Sequence, residues 1–468
     1  MQVTTNLKVM ASTIAAAAPA PPMTARTRRL LEGPVAPTLL GLAAPNVLVM
    51  VLQAVVTTLD AVFVGWLGSA ALAGVSLVYP LVMLMQTMSA GGMGGGVASA
   101  VARALGAGRR AEAQALAVHA ILIALVMASL FTTGLLLGGP AVYRAMGGTG
   151  DALVAALTYS HVMFGGAVVF WLLNTLGSIV RGTGTMALPA AVMSGSAVVY
   201  LALAPALVMG WGPFPRLGVA GTATANLSAF GLATLVLAVY LCSPWSTVRL
   251  SVRGLRFRRE LFWEILRVGA PGSLNTILTN LTVVLMTGLV GPFGTAALAG
   301  YGMGGRLEYI QIPLVFGMGS ALVAMVGTNV GAGQIARAER IAWTGAGLAA
   351  GVTASIGVLA AAVPGAWLGL FTTDPQVHAA GATYLLIVGP TYGFFGLGLA
   401  LYFASQGAGR LAWPLTAGFA RLAVAAAGGW LGGYGLGWGL PGIFAAMAIA
   451  LIVFGTTTAA AVRLGAWR

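Results

Sequence analysis

The chain has 468 residues, 59% of them hydrophobic and 7% charged, with a mean hydropathy of +0.95 and a formal net charge of +14. A soluble domain is about a quarter charged, so only lipid can solvate such a surface, and the chain is an integral membrane protein. A single cysteine, Cys242, excludes an internal disulfide, and the histidines His119, His161 and His378 have no ligand spacing for a metal.

In chain order, the N-terminal stretch is rich in Ala, Thr and Pro, with Lys8 the only charge before Arg26. Ser12–Ala20 is short and Pro-broken, a poor signal-peptide core. Residues 1–35 are expected to be an N-terminal cytoplasmic tail, with Met23 an alternative start. Apolar stretches long enough to cross a ~30 Å hydrocarbon core as helices follow at 37–66, 70–102, 114–138, 153–180, 186–210 and 217–242. They define a first bundle over 36–242. Pro244, Trp245, Arg249, Arg253, Arg256, Arg258 and Arg259 mark 243–260 as a basic cytoplasmic linker. A second bundle, 261–468, has stretches at 262–291, 295–328, 341–363, 378–405, 411–435 and 438–463. A membrane barrel would show short alternating segments instead.

The two bundles repeat each other. Pro45 returns as Pro271, Gly65 and Gly68 as Gly291 and Gly294, and Ala70–Gly74 as Ala296–Gly300. Gly92-Met93-Gly94 returns as Gly317-Met318-Gly319, Gly106-Ala107-Gly108 as Gly331-Ala332-Gly333, and Pro189 as Pro414. The offset stays at about 225 residues, the mark of a duplicated unit. An even number of spans per half gives both halves the same orientation. The expected fold is therefore all-α, twelve transmembrane helices in two six-helix bundles related by a pseudo-two-fold axis along the membrane normal. Such a duplication in an apolar chain points to a transporter with its site between the halves. Gly91, Gly92 and Gly94–Gly96 mark a place where backbone or substrate comes close, or where helices simply pack.

The positive charge orients the protein. Arg103, Arg109, Arg110, Arg181, Arg249, Arg337, Arg340 and Arg410 fall on one side, while Arg144 and Arg216 fall on the other. This pattern places both termini in the cytoplasm, in a bacterial inner membrane. The basic side meets anionic lipid and predicts no nucleic-acid partner.

Of nine acidic residues, seven lie at span ends or in loops. Asp60 lies in the first span and Glu308 in the eighth, and an intramembrane acid is a functional candidate by default. Asp60 is read as a proton-binding carboxylate in preference to an interhelical hydrogen-bonding group, because its equivalent in the second half is Met286. Glu308 is read as a structural acid, with Arg421 its candidate mate, since Arg306 is two residues away and on another face. Asn174, Tyr200 and Asn226 share a half with Asp60 and could bond to it, although for each alone helix–helix bonding is the favoured reading. Pro45 is a candidate hinge or a static kink. Arg306, Glu308, Gln311, Asn275, Asn280 and Met286 are the candidates for a substrate cavity. No GxxxxGK[ST] loop is present, which argues against ATP as the energy source. No catalytic Ser/His/Asp set or paired carboxylates occur within a span, so the chain is not read as an enzyme.

The segment Pro45…Leu59-Asp60-Ala61-Val62-Phe63-Val64-Gly65-Trp66-Leu67-Gly68…Leu72-Ala73-Gly74 resembles the first-span signature of multidrug and toxic compound extrusion (MATE) transporters. Gly92…Gly108, its copy Gly317…Gly333, Arg181-Gly182-Thr183-Gly184 and Gly218-Val219-Ala220-Gly221 are similar to further motifs of that family. The resemblance covers about residues 30 to 465. It implies a twelve-helix antiporter, monomeric, that expels drugs or toxic metabolites, cationic or amphipathic, in exchange for H⁺ or Na⁺, with no cofactor. Asp60 and Asn174 match the family's first- and fourth-span positions, and Asn226 lies near a polar one. The family's DinF-type branch carries Asn-x-x-x-Asp-Pro in span five, where this chain has Tyr200 to Ala204-Pro205. Its NorM-type branch carries acids in spans seven and ten, where this chain has Thr279-Asn280 and an acid-free Gly381–Phe403. One acid is a thin cage for sodium and sufficient for a proton, so proton coupling nearer the DinF type is expected. Na⁺ coupling is the alternative. A lipid-linked sugar flippase is a rival, disfavoured because only Arg306 and Arg421 lie well within spans.

Overall fold

The computed structural model describes residues 25–250 and 257–467. Most of the expected tail, with Lys8, and the linker arginines Arg253 and Arg256 lie outside the described residues. Everything regular is helical, as lipid demands of a chain whose backbone must bond to itself.

The first three spans are Val35–Gly65, Ser69–Gly106 and Arg110–Ala145. The fourth is a pair, Gly150–Gly165 and Ala167–Gly182, bent by 46° at Gly166. The fifth and sixth are Ala187–Met209 and Val219–Cys242. The second half follows with Arg259–Phe293, Thr295–Gly331, Ile335–Ala362 and Pro375–Ala408 as the seventh to tenth. The twelfth is Gly439–Arg463. Among the described residues, ten helices are long and apolar enough to cross alone, and the bent pair makes an eleventh. The remaining expected span, 411–435, is Ala412–Ala423 continued by π-helical turns at Val424–Gly428 and Leu431–Gly435. Its glycines Gly428, Gly429, Gly432 and Gly433 weaken the regular helix there. The twelve-helix, two-lobed arrangement expected from the sequence is thus present.

Residues 25–32, expected to belong to the tail, form a helix that contacts both halves, packing Leu30 against Gly184 of the first. Leu30 and Leu31 are buried, and Asn329 Nδ2 donates to Leu30 O at 3.1 Å.

The duplication is visible atom by atom. Gly68 and Gly294 start the second and eighth spans with φ of 100° and 101°, a backbone only glycine adopts freely. Gly74 packs on Ala152 O as Gly300 packs on Val377 O, and Gly94 faces Ser178 as Gly319 faces Phe403. In lipid no hydrophobic force drives helices together, so close approach of small residues does.

The lobes meet along one seam, at the end of the bundle carrying Gly106 and Gly331. A Cβ on Gly106 would strike Thr328 O, and one on Gly331 would strike Arg103 O. Deeper in, a Cβ on Gly92 would lie 2.6 Å from Ser273 N, and one on Gly317 would lie 2.7 Å from Val47 Cγ2. The glycine-rich stretch singled out in the sequence is a π-helical turn, Met88–Met93, running into Gly94–Gly106. It serves backbone packing: Gln406 Nε2 of the tenth span donates to Gly91 O at 3.0 Å.

Candidate functional site

Each lobe holds one carboxylate that is bonded to a tyrosine. In the first lobe, the Tyr200 hydroxyl of the fifth span donates to Asp60 Oδ1 of the first. Val56 and Phe63 of the first span, Ala197 and Ala204 of the fifth, and Ala225 of the sixth form one buried apolar cluster with Tyr200. Tyr159 of the fourth span is buried in the same lobe.

Two other candidate neighbours, Asn174 and Asn226, are not bonded to Asp60. Asn174 donates to Ser89 Oγ at 2.9 Å and to Phe170 O at 3.1 Å, tying the fourth span to the π-helical turn and not to Asp60. Asn226 Oδ1 is buried without a hydrogen-bond partner. The first span runs unbroken through Pro45, whose neighbour Asn46 donates to Ser320 Oγ at 2.8 Å.

In the second lobe, Tyr384 donates its hydroxyl to Glu308 Oε1 at 2.8 Å, and its oxygen lies 3.2 Å from that of Tyr392. Arg421, the expected mate of Glu308, interacts with it electrostatically, while its guanidinium lies over the Phe454 ring at 5.2 Å. A cavity of about 390 Å³ opens here, lined by Glu308, Arg421, Asn275, Met286 and Tyr301 among others. Asn275 and Met286 line this cavity.

Other cavity expectations need correcting. Arg306 is exposed and lies over Phe371 at 5.4 Å, because a residue two from Glu308 emerges on another face. Asn280 is exposed and donates to Thr276 O at 2.9 Å, its own preceding turn, and it does not line the cavity. Gln311 is fully buried with neither side-chain polar atom bonded, and it too is absent from the lining.

Tyr159 and Tyr384 were missed in the sequence, though a signal existed. They stand 225 positions apart, at the offset of the repeat. Also missed was a buried ion pair at the seam. Arg103 Nη2 meets Glu264 Oε1 of the seventh span at 2.8 Å, and Arg103 Nη1 donates to Gly407 O of the tenth at 3.1 Å. Arg267 Nη2 reaches the same carboxylate oxygen at 2.6 Å. Removing one partner of a largely buried pair leaves the other charge uncompensated. Glu264→Gln is expected to destabilise the protein by about 1–3 kcal/mol, read as a lower thermal midpoint in detergent. Glu260→Gln, at a side chain 74% exposed, is expected to leave the midpoint unchanged.

Two six-span lobes in register, each enclosing a tyrosine-bonded carboxylate, define a multi-span membrane protein of duplicated, transporter-like build. The family model described as MatE matches residues 45–206 and again 271–431, so the chain belongs to the MatE family. The two matched segments reproduce the offset of the internal repeat. The chain is similar to a FAD transporter of Shewanella oneidensis, 26% identical over 80% of this chain and 82% of that protein. It is similar also to a probable multidrug resistance protein, YoeA, of Bacillus subtilis, 28% identical over 79% and 81%. A solved structure described as the outward-facing conformation of a multidrug resistance MATE family transporter of the MOP superfamily has the same fold. Its TM-score is 0.86 at 23% identity, over 95% of this chain and 99% of that one.

Proposed function

We propose that this protein is a secondary active efflux transporter, not an enzyme, that exchanges cationic or amphipathic small molecules for protons by alternating access. The observation that carries this reading is the Asp60–Tyr200 pair, held between the first and fifth spans of a MatE-family chain. A carboxylate in that setting takes a proton or a cation, and competition between the two gives exchange. In the state open to the outside, Asp60 takes a proton and releases the substrate. In the state open to the cytoplasm, it returns the proton and accepts new substrate. Tyr200 donates one hydrogen bond to the Asp60 carboxyl oxygen, and it keeps that group oriented between turnovers.

Family membership and the names borne by the relatives support efflux of small molecules. The acid in the first span, with none matching the NorM-type positions in spans seven and ten, supports a place nearer the DinF-type branch. A site with one carboxylate and one phenol supports a proton over a sodium ion, which takes several oxygen ligands. The arginine pattern supports a bacterial inner membrane with both termini cytoplasmic, and it makes the glycine seam the cytoplasmic gate. The two lobes would be the units of movement, over 36–242 and 261–468, joined by the basic linker 243–260, and the monomer would be the working form.

Everted vesicles test the coupling. A pH gradient in Na⁺-free buffer is expected to drive accumulation of a fluorescent organic cation, and collapse of that gradient is expected to stop it. Accumulation that needs a Na⁺ gradient and ignores the pH gradient would overturn the proton reading.

A further inference from the structure

The cavity of about 390 Å³ in the second lobe contains charges that the coupling scheme at Asp60 does not use. Its size is that of a small-molecule site. Two opposite charges enter it from different spans, Glu308 from the eighth and Arg421 from the eleventh. Glu308 accepts one hydrogen bond, from Tyr384. Arg421 is 8% exposed, and its Nε has no hydrogen-bond partner. The two groups sense each other's charge. Yet none of the ion pairs among the described residues joins them.

A buried guanidinium nitrogen without an acceptor is costly. An acceptor placed there by a ligand would remove that cost. A simple anion on Arg421 would meet the Glu308 carboxylate, and a simple cation at Glu308 would meet the Arg421 guanidinium. A ligand carrying both charges avoids both conflicts. The apolar lining supplies Tyr301, Phe395, Phe454 and Met447 for an aromatic body. Neither charge is duplicated: by the 225-residue offset, Glu308 corresponds to Met83 and Arg421 to Ser196. The pair is therefore particular to the second lobe and is no relic of the scaffold.

We infer that this cavity binds an aromatic zwitterion, with its carboxylate on Arg421, its cationic group at Glu308, and its rings against the aromatic lining. The inference deepens the transport reading by naming a substrate class, and it rests on that reading for turnover, whereas the dye test reads binding at Arg421 and Glu308.

The test uses rhodamine B, a zwitterion, and its ethyl ester, which keeps the cationic ring system and loses the carboxylate. Fluorescence anisotropy is measured with the full chain in nanodiscs, and binding to protein-free nanodiscs is subtracted. The wild-type protein is expected to bind rhodamine B at least about tenfold more tightly than the ester. Arg421→Met is expected to erase that preference, and Arg421→Lys to keep part of it. Glu308→Gln should weaken both dyes alike. Equal binding of the two dyes by the wild type overturns the inference, and that comparison needs no variant to fold. A preference that survives Arg421→Met in a folded protein also overturns it. If the dye preference holds while proton-driven transport fails, the inference stands and the transport reading falls.

Discussion

Asp60→Asn is expected to reduce pH-driven transport in everted vesicles to the background of empty vesicles, a loss of at least about 100-fold. The amide keeps the size of the side chain and can still meet the Tyr200 hydroxyl, so the fold has little reason to change. What it cannot do is exchange a proton for a cation. If the coupling resides there, no other acid in the first lobe takes its place, since Glu32, Glu112 and Asp151 lie at helix ends or in their first turns. Tyr200→Phe should cost less, roughly tenfold, the scale of one hydrogen bond to a charged group. The order matters more than the sizes. Intact pH-driven transport by Asp60→Asn, in protein that reaches the membrane at normal levels, would sink the scheme.

Gly331→Val is expected to hold the lobes apart at the glycine seam. Its side chain would occupy the place of Arg103 O, a backbone atom that cannot swing away. Overpacking of this kind costs about 1–3 kcal/mol. Because it acts only where the lobes touch, the cost falls on the closed state and shifts the balance of states by roughly ten- to a hundredfold. A reporter can read this directly. Ser273 is buried at the seam beside Gly92. With the exposed Cys242 first replaced by Ser, a Ser273→Cys protein should react with a maleimide at least about tenfold faster once Gly331→Val is added. Transport should fall by a similar factor, since the seam must close in each cycle. Unchanged labelling together with normal transport would show that the seam tolerates the bulk.

Much of the architecture was legible because lipid imposes long apolar helices and the repeat fixes their order. Pro45 and Pro271, Gly68 and Gly294, and Gly106 and Gly331 could be paired without coordinates. The eleventh span was legible in position but not in geometry, because composition does not distinguish an α turn from a π turn in a glycine-rich stretch. Asp60 and Tyr200 could be singled out as polar groups in apolar spans, but their direct contact depends on how two helices rotate about their axes. The same ignorance of rotation misplaced Arg306 and Asn280. Arg103 and Glu264 looked like ordinary span-end charges. Only the crossing of three spans reveals that the guanidinium is buried and shared with the backbone at Gly407.

The glycine seam has the geometry of a homodimer folded into one chain. Gly106 meets Thr328, while Gly331 meets Arg103, and the offset of 225 carries each contact into the other. The pair Gly92–Ser273 and Gly317–Val47 obeys the same exchange, within one residue. Contacts related this way are isologous, the kind that two copies of one subunit make across a two-fold axis. Each half therefore bears both the projecting and the receiving surface of its own partner. A bulkier residue accepted on one half has to be matched on the opposite half at the surface that receives it, not at its own sequence equivalent.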